Sequence, residues 1–101
     1  MVRVTKAKVV RGLNGWLLLD FDNNEHKFVD IKPVMKGVLD QLHDQKFFEQ
    51  VYVDPELGTI TWPGELDLDP DNLYRQGIDA KEIKILAQYD ENGTSALLEN
   101  A

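Results

Sequence analysis

The sequence predicts an α+β fold: a small two-layer domain in which an antiparallel sheet of about five strands, a meander plus a hairpin, carries one or two short helices. Three observations lead there. β-rich runs joined by short turns fill the chain up to Asp30, an apolar stripe at helical spacing follows Pro33, and a proline-and-glycine turn separates two further strand patterns near Val53 and Ile60.

Val2, Val4, Ala7, Val9 and Val10 form the first β-rich run. Its alternation slips near Ala7, which predicts a bulge or similar irregularity. Gly12-Leu13-Asn14-Gly15 ends it, and Trp16 to Phe21 is an apolar run too short for a helix. Asp22-Asn23-Asn24-Glu25 supplies the small polar residues of a tight turn, and His26 to Asp30 makes the returning strand. After Pro33, which suits a first helical turn, Val34, Val38, Leu39 and Leu42 repeat at helical spacing over residues 33 to 42. Gly37 weakens that helix by about 1 kcal/mol relative to alanine and marks a place for a break. Asp44 is suited to cap a second short turn that aims Phe47 and Phe48 inward.

Asp54-Pro55-Glu56-Leu57-Gly58, set between Val51-Val53 and Ile60-Trp62, reads as a hairpin loop. Proline presets φ early in the turn and glycine accepts a positive φ at its end. Pro63-Gly64 stops the second strand, and Pro70 to Tyr74 makes a short helical turn capped by Asp69. In Ile78-Asp79-Ala80-Lys81-Glu82-Ile83, Asp79 reads as an N-cap, Glu82 as its reciprocal partner, and Ile78 and Ile83 as a staple. A helix over 80–89, ended near Asn92-Gly93, is expected. A strand is the competing reading, because Ile83, Ile85, Ala87 and Tyr89 also alternate.

With 101 residues the chain holds one domain. No stretch approaches the ~20 apolar residues of a membrane span, the start lacks the pattern of a signal peptide, and there is no cysteine. A soluble, cytoplasmic protein without disulfides is therefore expected. The net charge of −7 opposes binding to phosphate backbones. Its distribution is uneven: Arg3, Lys6, Lys8 and Arg11 stand in an acid-free start, while Asp54, Glu56, Glu65, Asp67, Asp69 and Asp71 stand in a base-free stretch. If the two meet in the fold they screen one another; if not, the second is an exposed acidic surface.

No motif carries recognisable catalytic chemistry. Aligned as a calcium loop from Asp67, the run places Asn72 where glycine is needed and Ile78 where a bidentate glutamate belongs. His26 and His43 have no cysteine to complete a zinc set, and Ser95 is the sole serine. Trp16 and Trp62 lack an interleaved basic stripe and read as core residues. No catalytic residue, metal ligand or cofactor is expected.

At Asp54-Pro55-Glu56-Leu57-Gly58-Thr59-Ile60-Thr61-Trp62-Pro63, then Asp67-Leu68-Asp69-Pro70 and Leu73-Tyr74, the chain closely resembles the bacterial domain-of-unknown-function family 2442. Phe28-Val29-Asp30 and the pair Phe47-Phe48 fit the same pattern, and Gly64-Glu65 stands where the family often has Asn-Gly. The resemblance spans roughly residues 2 to 75. It implies a small α+β domain over 1–75; the capping pattern after it makes 76–101 a C-terminal extension expected to be helical and then frayed. No catalytic residues come with it. It implies membership of small bacterial operons and an antitoxin-like or partner-binding role. Some relatives add a helix-turn-helix domain, for which the residues after Tyr74 are too few.

Function is expected to be that of a non-enzymatic protein-interaction module, the antitoxin-like half of a pair, with Asp54, Glu56, Glu65, Asp67, Asp69 and Asp71 as candidate partner-binding residues. The alternatives are a small ligand-binding domain or enzyme using carboxylates near Trp62, and a nucleic-acid-binding accessory protein using the basic first strand. Ile78, Ile83, Leu86 and Tyr89 give the tail an apolar side that a short isolated helix cannot hold folded in water. A homodimer contact through 78–89 is expected to cover it, with the domain's own sheet or a different protein as the other candidates.

Overall fold

A computed structural model describes residues 1–82 of the chain. Strands β1 (Val4–Val9), β2 (Trp16–Phe21) and β3 (His26–Asp30) form the expected antiparallel meander. The irregularity in β1 falls between Val4 and Lys6, where the register shifts at Thr5. Without that extra residue, Val4 and Ala7 could not both face inward, since side chains otherwise alternate strictly. The tight turn after β2 closes through the Phe21 N–H on the Glu25 carbonyl at 2.9 Å, with Asn24 in the left-handed region at φ 68°.

One face of this sheet is core. Val9, Leu17 and Val29 stand in one cross-strand row, and Ala7 and Leu19 in the next. Leu17, Leu19 and Val29 have no exposed surface. The layer beneath them comes from the middle of the chain and differs from the single helix expected over 33–42. Two 3-10 segments stand there instead, Lys32–Val34 and Gly37–His43. Gly37 enters the second with φ at +57°, a conformation outside any right-handed helix, so the stripe is cut between Val34 and Val38. Leu42 is then 1% exposed, whereas Val38 is 78% exposed and contributes nothing to the core. Helix α1 (Gln45–Phe48) begins at the predicted cap, with Asp44 accepting from the Lys46 N–H at 3.1 Å. It buries Phe48 fully and Phe47 in part.

The predicted hairpin is a two-stranded ribbon, β4 (Tyr52–Asp54) and β5 (Thr59–Thr61). Residues 66–68 run beside β5. The Leu68 N–H donates to the Ile60 carbonyl at 3.3 Å, and Trp62 and Leu66 exchange main-chain bonds at 3.3 and 3.4 Å. The ribbon joins the larger sheet at β1 through the Val4 N–H on the Gly58 carbonyl at 2.8 Å. Trp62 closes the core: it is wholly buried, and its indole N–H donates to the Phe48 carbonyl at 2.8 Å.

Helix α2 (Pro70–Gln76) starts on its predicted cap, Asp69, and seals the core's edge with Leu73. Beyond it the chain adds a strand that the sequence analysis did not anticipate. β6 (Ile78–Asp79) pairs with β3, giving the order β1-β2-β3-β6. The paired backbone therefore runs past residue 75. Asp79 also accepts from the Lys81 N–H at 2.8 Å, as an N-cap would, and 80–82 are helical. The remainder of the expected helix over 80–89, its strand alternative and most of the dimer contact over 78–89 lie outside the described residues. No helix among the described residues is long and apolar enough to cross a membrane.

Candidate functional site

The six carboxylates singled out from the sequence divide into two groups. Asp54 and Asp69 are structural. The Asp54 side chain accepts from the N–H groups of Glu56 at 2.9 Å and Leu57 at 3.3 Å, which holds the hairpin loop closed. Asp69 accepts from the Asp71 N–H at 3.0 Å and starts α2. Glu56, Glu65 and Asp67 are exposed, and Asp71 is half-buried. None of the six forms an ion pair among the described residues, where the pairs are His26 with Asp20, Lys32 with Asp30 and His43 with Asp40.

The basic start and the acidic stretch do meet, where β1 runs beside the ribbon, and among the four basic side chains of the start Arg3 reaches the loop. Arg3 donates from its guanidinium to the main-chain carbonyls of Pro55 at 2.7 Å and Glu56 at 3.3 Å. It thus binds the loop's backbone, and the Glu56 carboxylate has no ion pair among the described residues. The acids do not gather into one cluster. Glu56 precedes β5 and Glu65 follows it, so they lie at opposite ends of that strand. Along 66–69 the exposure alternates: Leu66 and Leu68 pack against the core while Asp67 and Asp69 face solvent. The exposed acidic side chains are therefore spread from the hairpin loop through the turn after Trp62 to the segment beside β5.

The turn between Trp62 and Leu66 decides how Glu65 is presented. Gly64 has φ at +94° and Glu65 at +60°. Two successive left-handed residues are what Asn-Gly favours, and a glutamate held there is strained by roughly 1–2 kcal/mol.

A model of the family described as "Protein of unknown function (DUF2442)" matches residues 7–79. The chain belongs to that family. The match to DUF2442 runs from β1 through β6, so Ile78–Asp79 falls within it. No curated protein and no solved structure matches the chain.

Trp62 bears on the reading of DUF2442 as a ligand-binding domain or enzyme. Its ring has no exposed surface and its N–H is engaged by Phe48, so carboxylates near it have no indole face to work against. A small cleft of about 70 Å³ touches Asp69, Leu68 and Leu73. No three acidic or histidine side chains converge as a metal site among the described residues.

The other tryptophan has a different fate. Trp16 is half-buried on the opposite face of the sheet from Leu17, with the Lys32 ammonium 5.4 Å from its ring. On that face the pairing sets Leu18, Phe28 and Ile78 in one row across β2, β3 and β6. Leu18 and Phe28 are half-buried and Ile78 is 39% exposed. The sequence carried a signal for this second apolar face. Trp16-Leu17-Leu18-Leu19 is a continuous apolar run, and such runs mark strands covered on both sides.

Proposed function

We propose that the chain is a non-enzymatic protein-interaction module that receives a basic segment of a partner protein along the carboxylates between Glu56 and Asp71. The observation that carries this reading is the set of carboxylates left over once capping is satisfied: Glu56, Glu65, Asp67 and Asp71, without an ion pair among the described residues. The strained backbone at Glu65 supports it further, because a glycine would suit the turn better and the glutamate holds a charge there instead. An antitoxin-like role, as half of a small operon pair in the bacterial cytoplasm, is the specific form of the proposal. Such a surface steers a basic partner over about one Debye length and acts mainly on the association rate.

The test uses the full chain, tagged and expressed in its host, with the co-purified partner identified by mass spectrometry. Binding of the purified pair is then followed by surface plasmon resonance at rising salt. Association is expected to slow several-fold between about 50 and 300 mM salt, and to slow equally at low salt in the double variant Glu65→Gln, Asp67→Asn. Kinetics indifferent to salt and to both substitutions would remove the acidic surface from the mechanism.

A further inference from the structure

We infer that Tyr52 and Asp67 form a subsite for one arginine side chain of the basic segment, the phenol ring stacking on the guanidinium while the carboxylate accepts from its N–H groups. Resting on the acidic surface proposed above, this subsite specifies the residue type that the surface takes. Three main-chain segments lie side by side here. Tyr52 pairs with Thr61, and Asp54 with Thr59. On the other side of β5, Trp62 and Leu66 exchange bonds and the Leu68 N–H donates to the Ile60 carbonyl, so Asp67 stands opposite Thr61 and Asp69 opposite Thr59. Side chains alternate along a strand, which puts Tyr52, Thr61 and Asp67 in one row and Asp54, Thr59 and Asp69 in the next, on the face turned away from Val53, Ile60 and Leu68.

The two ends of the first row are accessible and its middle is closed. Tyr52 is 50% exposed and Asp67 is exposed, whereas Thr61 between them is 2% exposed and forms a floor. Two strand spacings separate the Cα atoms of Tyr52 and Asp67, about 10 Å, which leaves width for one planar group between a ring and a carboxylate. Charge selects a cation. The six positions of the two rows hold three carboxylates and no base. Asp54 and Asp69, which accept from the N–H groups of Glu56, Leu57 and Asp71, add to the negative field there. Arg3, which reaches the ribbon's loop, is directed at the carbonyls of Pro55 and Glu56. Shape then selects arginine over lysine. A guanidinium is planar and weakly hydrated, and its fork of N–H donors fits a carboxylate while its face lies on an aromatic ring; an ammonium is a hydrated point charge with no face to stack. A half-exposed tyrosine is also the kind of side chain that anchors interfaces.

The test uses the isotope-labelled full chain and two peptide probes, acetyl-Gly-Arg-Gly-Arg-Gly-amide and its lysine counterpart, titrated at low salt and followed by NMR. The arginine peptide is expected to move the Tyr52 ring and Asp67 side-chain signals and to bind about two- to fivefold tighter than the lysine peptide. Tyr52→Leu is expected to abolish that preference while changing the lysine peptide's affinity by less than about twofold, and Tyr52→Phe, which keeps the ring, to retain it. Should the amide spectrum show that Tyr52→Leu disturbs the fold, Asp67→Asn is the second variant, expected to weaken the arginine peptide more than the lysine one. Equal binding of the two peptides to the native chain would overturn the arginine subsite and leave the acidic surface standing. A preference for arginine that survives both Tyr52→Leu and Asp67→Asn would place its origin elsewhere and overturn the subsite as well. Binding of neither peptide at millimolar concentration would overturn the subsite and the acidic surface together.

Discussion

Trp62 and Phe48 are joined twice. The Trp62 indole N–H donates to the Phe48 carbonyl at 2.8 Å, and the two rings pack with centroids 5.7 Å apart, both wholly buried. The contact ties α1 to the end of β5, elements that share no strand pairing. Trp62→Ala is expected to cost about 3–5 kcal/mol through the cavity it opens. Trp62→Phe, which keeps a ring but loses the hydrogen bond, is expected to cost about 1–3 kcal/mol. Urea denaturation at unchanged slope measures both, and a midpoint unaltered by Trp62→Ala would show that the ring is not core.

The acidic stretch should split under substitution as it splits in the structure. Asp69→Ala removes the cap of α2 and is expected to cost about 1 kcal/mol, and Asp54→Ala a similar amount through its loop. Asp67→Asn, at an exposed position without a hydrogen bond to the backbone among the described residues, should stay within about 0.5 kcal/mol. Thermal melts that rank Asp67→Asn with the other two would contradict this division.

Glu65→Gly is expected to raise stability by about 1 kcal/mol, because it releases the left-handed strain at φ 60°. The same substitution removes a carboxylate from the proposed binding surface. Stability and association rate should thus move in opposite directions, read by melting and by surface plasmon resonance on one variant. A destabilised Glu65→Gly chain would mean that the side chain contributes contacts outweighing the strain.

Tyr74 links α2 to the β2–β3 turn. Its hydroxyl donates to the Glu25 carboxylate, which raises the phenol's pKa above its ordinary 10.0, while the Asn23 amide partly opposes the shift. The folded state therefore holds the phenol proton more tightly than the unfolded chain does. The stability this contributes is complete below about pH 10 and is lost as pH rises through the folded value. Ultraviolet titration, taken as the difference between the native chain and Tyr74→Phe, should show the Tyr74 phenol ionising above its ordinary value, and Glu25→Gln should bring it back down. The stability difference between the native chain and Tyr74→Phe should shrink above about pH 10. A Tyr74 phenol that ionises at its ordinary value in the folded chain would contradict the link.

Much of this domain was legible where the signal is local. Asp44, Asp69 and Asp79 each stand one residue before a helical turn and accept from the N–H two positions on. A cap is read within four residues and needs nothing else from the fold. The hairpin at 54–58 was equally plain, because its proline, glycine and aspartate act within the loop itself. The candidate site was legible as a list of carboxylates. Which of them were free was not, because the capping role of Asp54 and Asp69 uses the same side chains that would make an acidic surface.

The sequence by itself determined the α+β class, the meander, the hairpin and the caps, since alternation and turn chemistry act over a few residues of chain. Only the tertiary structure decided the rest. Val34, Val38, Leu39 and Leu42 fit one helical stripe in sequence, yet the left-handed Gly37 divides them and sends Val38 to solvent. Trp16 and Trp62 look alike as residues at strand ends, but one meets Phe48 in the core and the other stands on the second face of the sheet. Ile78 and Asp79 become a strand because β3 offers them an unpaired edge. In each case the deciding partner lies far along the chain, and strand pairing or burial is stable only once both sides are present, so no local pattern could have announced it.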